Sequence, residues 1–338
     1  MGNSRQNCEE TPSRKGGPSE IDEAQNDAFT NTTPSSRPPS TEWKHYTLWN
    51  SVNSLIYALP NHFETDFTVR GLNATEVFSL GSAVSSVVDN QVVSILNQQR
   101  NIWDPANEYA SYRFVRQAQT FPDVLLQNID DDDDVIFGIE LKAWYALSKE
   151  GEPSFRYKID PDACAQADLL VVIPWLLSDI FSGEPIILYP FKALARYAAE
   201  IRDYDWHQKR SAEGQNSAIN RPPREQLHPY PKSKEQASDS AEDDSGGNFG
   251  RVARSGFADE YFENIFEQDV LGIKLKHWLQ ILRAITEKAS DELIERRLEA
   301  LRKKLRRSNR SSGGVDEETR SLLLQMLDQI ERISKKIP

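Results

Sequence analysis

The sequence predicts an α/β fold, and three features carry that expectation. A 3.6-residue apolar period runs through 76–100, the mark of an amphipathic helix. Strand-type runs follow at 111–115, 121–126 and 135–147. After Asp168 comes the unbroken run Leu169-Leu170-Val171-Val172-Ile173, which suits a strand buried on both faces. A leading helix, a hairpin, a central strand and further mixed elements together fit an α/β domain.

Taken in order, residues 1–40 are rich in Ser, Thr, Pro, Asn and charge and lack an apolar period. Such a stretch buries too little surface to offset its ordering entropy, so a disordered arm is expected there. Trp49, Val52, Leu55, Ile56 and Leu59 stand at helical spacing. The helix at 76–100 is defined by Val77, Leu80, Val84, Val88, Val92 and Ile95, with Asp89 at the margin of the stripe and Pro105 beyond its end. Asn128–Asp134, with five consecutive aspartates, is a turn between two strands. Ile186–Tyr189 reads as a short strand and Phe191–Asp203 as a helix. At Trp206 the composition shifts, and 207–257 is expected as a loop-rich insertion or linker. From 258 the pattern is helical, through Asp291–Arg307 and Asp316–Ile333, which would pair as a closing helical hairpin.

Composition narrows the function classes. The 338 residues are 38% hydrophobic, enough for a sizeable core. Cys8 and Cys164 alone provide neither a disulfide framework nor a zinc spacing, as suits a reducing cytoplasm. No secretory apolar segment opens the chain, Gln6 stands where a myristoylation motif wants Ser or Thr, and no run is long enough to span a bilayer. A cytoplasmic, prokaryotic protein without a membrane partner is expected. The formal charge is −12, and 41–206 carries all of that excess, with 24 acidic and 12 basic residues. Basic residues gather in the flanks: six against two acidic in 207–234, and eight against one in Arg296–Arg310. That C-terminal run reads either as a track for phosphates or as the solvated face of a helix.

Two acids interrupt otherwise apolar strands. Asp123 lies in Phe-Pro-Asp-Val-Leu-Leu and Glu140 in Gly-Ile-Glu-Leu-Lys-Ala-Trp. An unpaired buried carboxylate is costly, so each must face a partner, a cation or a cleft. Residues i and i+2 of a strand share a face, which puts Lys142 beside Glu140. A hairpin turning at the aspartates would bring Asp123 against Glu140. The plainer alternative is that Asp123 caps a turn while Glu140 and Lys142 form an exposed ion pair worth about 0–1 kcal/mol.

Pro122-Asp123 followed by Glu140-Leu141-Lys142 in apolar strands resembles the PD-(D/E)xK nuclease superfamily, type II restriction endonucleases in particular. Leu80-Gly81-Ser82, Trp103-Asp104-Pro105 and Phe121-Pro122-Asp123 extend the resemblance over residues 76–206. It implies a restriction-endonuclease-like core at 41–206, with a central mixed sheet flanked by helices, and a helical C-terminal region. It further implies Asp123, Glu140 and Lys142 as catalytic residues. Asp123, Glu140 and Asp89, the last on the preceding helix, would be ligands for Mg²⁺. Double-stranded DNA is the implied partner and a homodimer the implied assembly. Arg113 and Arg116 are candidate DNA contacts, as are Arg251 and Arg254 beside Gly246-Gly247-Asn248-Phe249-Gly250, which lacks the lysine of a nucleotide-binding loop. Two alternatives keep the fold: a repair, junction-resolving or transposon-end nuclease, and a DNA-binding protein without catalysis. The aspartate run lacks the alternation of a calcium loop, and the five histidines lack zinc spacing.

Overall fold

The computed structural model describes residues 32–70, 80–118, 120–148, 156–231, 233–244, 246–284 and 291–307, with residues 321 and 324. Its first large elements are α1 (Tyr46–Ala58), α2 (Leu80–Gln98) and the short α3 (Arg100–Trp103). Leu48, Val52, Leu55 and Ile56 make the buried face of α1, and Trp49 donates its indole N–H to the Ala167 carbonyl at 2.9 Å. Val84, Val88, Val92, Ile95 and Leu96 line the core side of α2. The expected helix at 76–100 is therefore present from Leu80.

Three strands then form an antiparallel meander: β1 (Tyr112–Arg116), β2 (Val124–Asn128) and β3 (Val135–Tyr145). The turn between β2 and β3 holds the aspartates, of which Asp130 to Asp133 are exposed. Strand β4 (Leu169–Leu177) lies parallel to β3, in register from Ile139↔Leu169 to Tyr145↔Trp175, and every one of its nine residues is buried. Two short strands share its other edge: β6 (Phe191–Leu194) pairs antiparallel with Leu169–Val172, and β5 (Pro185–Ile187) with Trp175–Leu177. Pro174 falls between those two ladders, where a missing N–H costs no strand pairing. The result is a mixed α/β sheet of six strands.

One expectation needs correcting. Phe191–Asp203 was expected to be helical throughout, but its first four residues are β6, and the helix α4 runs from Ala195 to Ala212. The apolar side chains of Phe191–Leu194 fit either period, and their hydrogen bonds to β4 decide the outcome. The boundary expected at residue 206 accordingly falls inside α4.

The sheet is covered on both sides. Helices α1 and α2 pack with Phe114, Phe137, Ile139 and Leu141 in the larger core. A smaller core joins Leu170 and Phe121 to Ala195, Ala198 and Ala199 of α4, whose small side chains let the helix come close, and to Tyr157, Ala237 and Val252. The stretch 207–257 contributes the two-residue strands β7 (Ile219–Asn220) and β8 (Ser240–Ala241), together with three 3₁₀ turns. A buried ion network fastens it to α4. Arg202 meets Asp203 and Asp239, each at 2.5 Å, and Arg221 reaches Asp160 at 2.8 Å and Asp203 at 2.7 Å.

Residues 33–40 lie against α4 through Arg37–Glu200 at 3.1 Å and Thr33–Tyr204 at 3.3 Å. Beyond 258 come α5 (Asp259–Phe266), the small hairpin β9 (Asp269–Val270) and β10 (Ile273–Lys274), α6 (Leu275–Ala284) and α7 (Asp291–Arg307). The first 31 residues of the expected arm and nearly all of the final expected helix lie outside the described residues. Among the described residues, no helix is long and apolar enough to cross a membrane.

Candidate active site

Asp123 stands just ahead of β2, where its backbone carbonyl accepts the Gln117 N–H at 2.7 Å. Register pairs Val124 with Ile139, which sets Asp123 across from Glu140 on β3. The approach of the two segments depends on Gly138. A Cβ there would sit 2.1 Å from Cγ of Pro122, so only glycine lets the proline ring lie flat on β3. The Leu141 N–H then donates to Oδ2 of Asp123 at 2.9 Å. Asp123 thus caps the neighbouring strand rather than its own turn.

Glu140 has 0% exposure, which removes the reading of Glu140–Lys142 as an exposed ion pair. Its Oε1 accepts two ammonium groups, Lys142 Nζ at 2.6 Å and Lys234 Nζ at 2.7 Å. The same two ammoniums bridge to Asp123: Lys142 lies 3.7 Å from Oδ2 and Lys234 3.7 Å from Oδ1. Burial alone would raise the Glu140 pKa, but the two lysines outweigh it and hold the carboxyl below the ordinary glutamate range. Burial likewise works against the Lys142 charge, and Glu140 and Asp123 overcome it, holding this ammonium above the usual lysine value. Asp123 is pushed up, first by burial and then by Glu140.

Asp89 reaches the cluster from α2. Burial raises its pKa to about 6, opposed by Arg116 and reinforced by Asp123. Arg116 pairs with Asp89 at 3.6 Å and also with Asn90, so its guanidinium already belongs to the site. Arg113, three positions earlier on β1, is exposed. Among their contacts, Arg251 donates to the Gly247 carbonyl at 3.3 Å and Arg254 to the Asn248 side-chain oxygen at 3.4 Å.

Behind the hairpin, Asp168 accepts the Gly138 N–H at 2.7 Å, the Ala165 N–H at 2.8 Å and the Tyr230 hydroxyl at 3.1 Å. It buttresses β3 one residue pair away from Glu140. Neither Lys234 nor Tyr230 is singled out by sequence reasoning, because both sit in the aperiodic stretch 207–257. The basic excess of 207–234 is the one signal pointing there.

Two carboxylate oxygens in this cluster are buried without a hydrogen-bond partner: Oε2 of Glu140 and Oδ1 of Asp89. Hard, oriented oxygens of this kind fit a hard divalent cation. Among the described residues no three His, Cys, Asp or Glu side chains form a metal-holding group in this arrangement, in which lysine ammoniums bridge Asp123 and Glu140. The oxygen donors are of the kind Mg²⁺ takes, and Asp123, Glu140 and Asp89 are the residues that would hold it once the bridging ammoniums give way. Comparison with family models, with characterised proteins and with solved structures gives no match to this chain.

Proposed function

We propose that this protein is a Mg²⁺-dependent endonuclease that hydrolyses phosphodiester bonds of double-stranded DNA, built on a PD-(D/E)xK core and acting as a type II restriction enzyme. The observation that carries this reading is buried Glu140 beside part-buried Asp123 with Lys142 between them, together with the unpartnered oxygens Glu140 Oε2 and Asp89 Oδ1. A bound Mg²⁺ supplies Lewis acidity to the scissile phosphate and lowers the pKa of a water. Asp123 and Glu140 hold the cation, and Asp89 adds a third carboxylate from α2.

Lys142 acts as a charge, not as a base. Its ammonium is stabilised by two carboxylates, so it suits hydrogen bonding to phosphate oxygens and neutralising the charge that develops on phosphorus. The acidic core is less of an obstacle to DNA than its total charge suggests. Within the cluster, Asp89, Asp123 and Glu140 are balanced by Arg116, Lys142 and Lys234. Arg113, exposed on β1, is the candidate contact for a backbone phosphate near the cut. A two-fold homodimer would apply one such site to each strand.

A second reading takes the same contacts differently. Because Glu140 is already paired with two ammoniums, the cluster also works as a purely structural ion network in a DNA-binding protein that cuts nothing. Plasmid nicking separates the two. Mg²⁺-dependent relaxation of supercoiled DNA that disappears in Glu140→Ala and Lys142→Ala supports the nuclease. DNA binding with no Mg²⁺-dependent cutting, unchanged in Asp123→Ala, supports the second reading and ends the first.

A further inference from the structure

Lys234 is the cation of this cluster that no sequence pattern announces, and its placement differs from that of Lys142. Lys142 belongs to β3 and its side chain is 16% exposed, so it cannot leave without disturbing the sheet. Lys234 opens a four-residue 3₁₀ turn, Lys234–Ala237, and its side chain is 35% exposed. Its backbone is nevertheless firmly set. Ser233 and Gln236 cap the turn reciprocally, and the Lys234 carbonyl accepts the Ser238 hydroxyl at 2.6 Å. The Asp160 N–H donates to the Ala237 carbonyl at 2.8 Å, and Asp239 is held by Arg202. A fixed backbone therefore carries a flexible four-carbon stem whose ammonium touches Glu140 and bridges to Asp123.

We propose that Lys234 is a built-in counter-cation for the carboxylates Asp123 and Glu140 in the metal-free site, and that a divalent cation entering the site would displace it. The inference rests on the nuclease reading above. A divalent cation on the unpartnered Oε2 of Glu140 would face the Lys234 ammonium on Oε1 of the same carboxylate, so the two cations repel and compete for its charge. Lys234 thereby sets the metal affinity of the free protein below what its carboxylates alone would give. The part-exposed stem lets the ammonium swing toward solvent, where a phosphate anion would be its next partner.

The test measures Mn²⁺ binding to the full chain, without DNA, by the loss of the free-ion paramagnetic resonance signal. Lys234→Met is expected to bind Mn²⁺ about tenfold more tightly than wild type, the scale of one charge-assisted hydrogen bond removed from the competing side. Lys234→Arg, which keeps the charge, stays near wild type. Lys209→Gln, which removes a charge paired with Asp205 on α4, also stays near wild type. Thermal denaturation confirms that each variant is folded. Unchanged or weaker binding in Lys234→Met, or an equal gain in Lys209→Gln, overturns the proposal. If Glu140→Gln still abolishes Mn²⁺ binding in that case, the nuclease reading stands without it. Binding that is indifferent to Glu140→Gln removes both.

Discussion

The backbone N–H of Leu141 donates to Oδ2 of Asp123 at 2.9 Å, so the middle residue of Glu140-Leu141-Lys142 fixes the acid on the strand beside it. The separation of the two carboxylates is thus set by main-chain geometry rather than by side-chain packing alone.

This contact separates structure from chemistry at one residue. Asp123→Asn retains an oxygen for the Leu141 N–H and loses only the charge. It is expected to melt close to wild type while Mg²⁺-dependent nicking falls by at least about a hundredfold, the scale of losing part of the metal's several kcal/mol of charge stabilisation. Asp123→Ala should in addition lose about 1 kcal/mol of stability, read by urea denaturation. An active Asp123→Asn enzyme would remove this residue from the chemistry.

Glu140 carries the charge balance of the cluster. Replacing it with alanine leaves the Lys142 ammonium buried with its main partner gone, and Lys234 facing the same void. A loss of about 3–5 kcal/mol in the metal-free protein is expected, since breaking a buried pair costs far more than its net worth. Urea denaturation in the presence of a chelator measures it. A double variant with Lys142→Met should recover part of the loss, because the stranded charge is then absent.

Asp89 gives the fold a pH dependence whose sign follows from its environment. Burial raises its pKa to about 6 from an ordinary aspartate's 3.8, so between those values the folded state binds a proton that the unfolded chain has released. Stability from this group is greatest below about pH 4 and is lost as pH rises through about 6. Asp89→Asn should remove that slope and stabilise the metal-free protein above pH 7 by about 1–3 kcal/mol. Denaturation curves at pH 5 and pH 7.5 would show it. A larger gain for the variant at pH 5 than at pH 7.5 would contradict the assignment.

Gly138 is the hinge between fold and site. The Cβ of Gly138→Ala would collide with the rigid ring of Pro122, and relief requires moving the segment that carries Asp123. A cost of about 1–3 kcal/mol is expected, with a fall in nicking greater than the stability loss explains. A variant that loses stability yet cuts normally would show that Asp123 tolerates the shift.

Much of this arrangement is legible in the sequence because it is local. Asp123, Glu140 and Lys142 lie on adjacent strands joined by one polar turn, so period-2 geometry and a short loop suffice to bring them together. Strand β4 announces itself by the apolar run Leu169–Ile173, and the strand continues to Leu177. Lys234 does not, because it arrives from 94 positions beyond Glu140 through a stretch with no periodicity, and its placement depends on Arg202, Asp239 and Ala237. Phe191–Leu194 misleads for a different reason: four residues ahead of an alanine-rich helix carry too little pattern to oppose it. The pairing of Arg116, which stays exposed, with Asp89 is not legible either, because that partner lies 27 residues earlier on a different element.

The buried ion network around Arg202 also imposes an order on synthesis. Glu140 leaves the ribosome 94 residues before Lys234, a gap of about 5–20 seconds at ordinary elongation rates. By the end of that interval the nascent chain holds Leu170 and Phe121 without the cover of Ala237 and Val252, and Arg202 without Asp239. A ribosome stalled just after α4 would therefore present a half-covered sheet, with Leu170 and Phe121 lacking the side chains that later close over them.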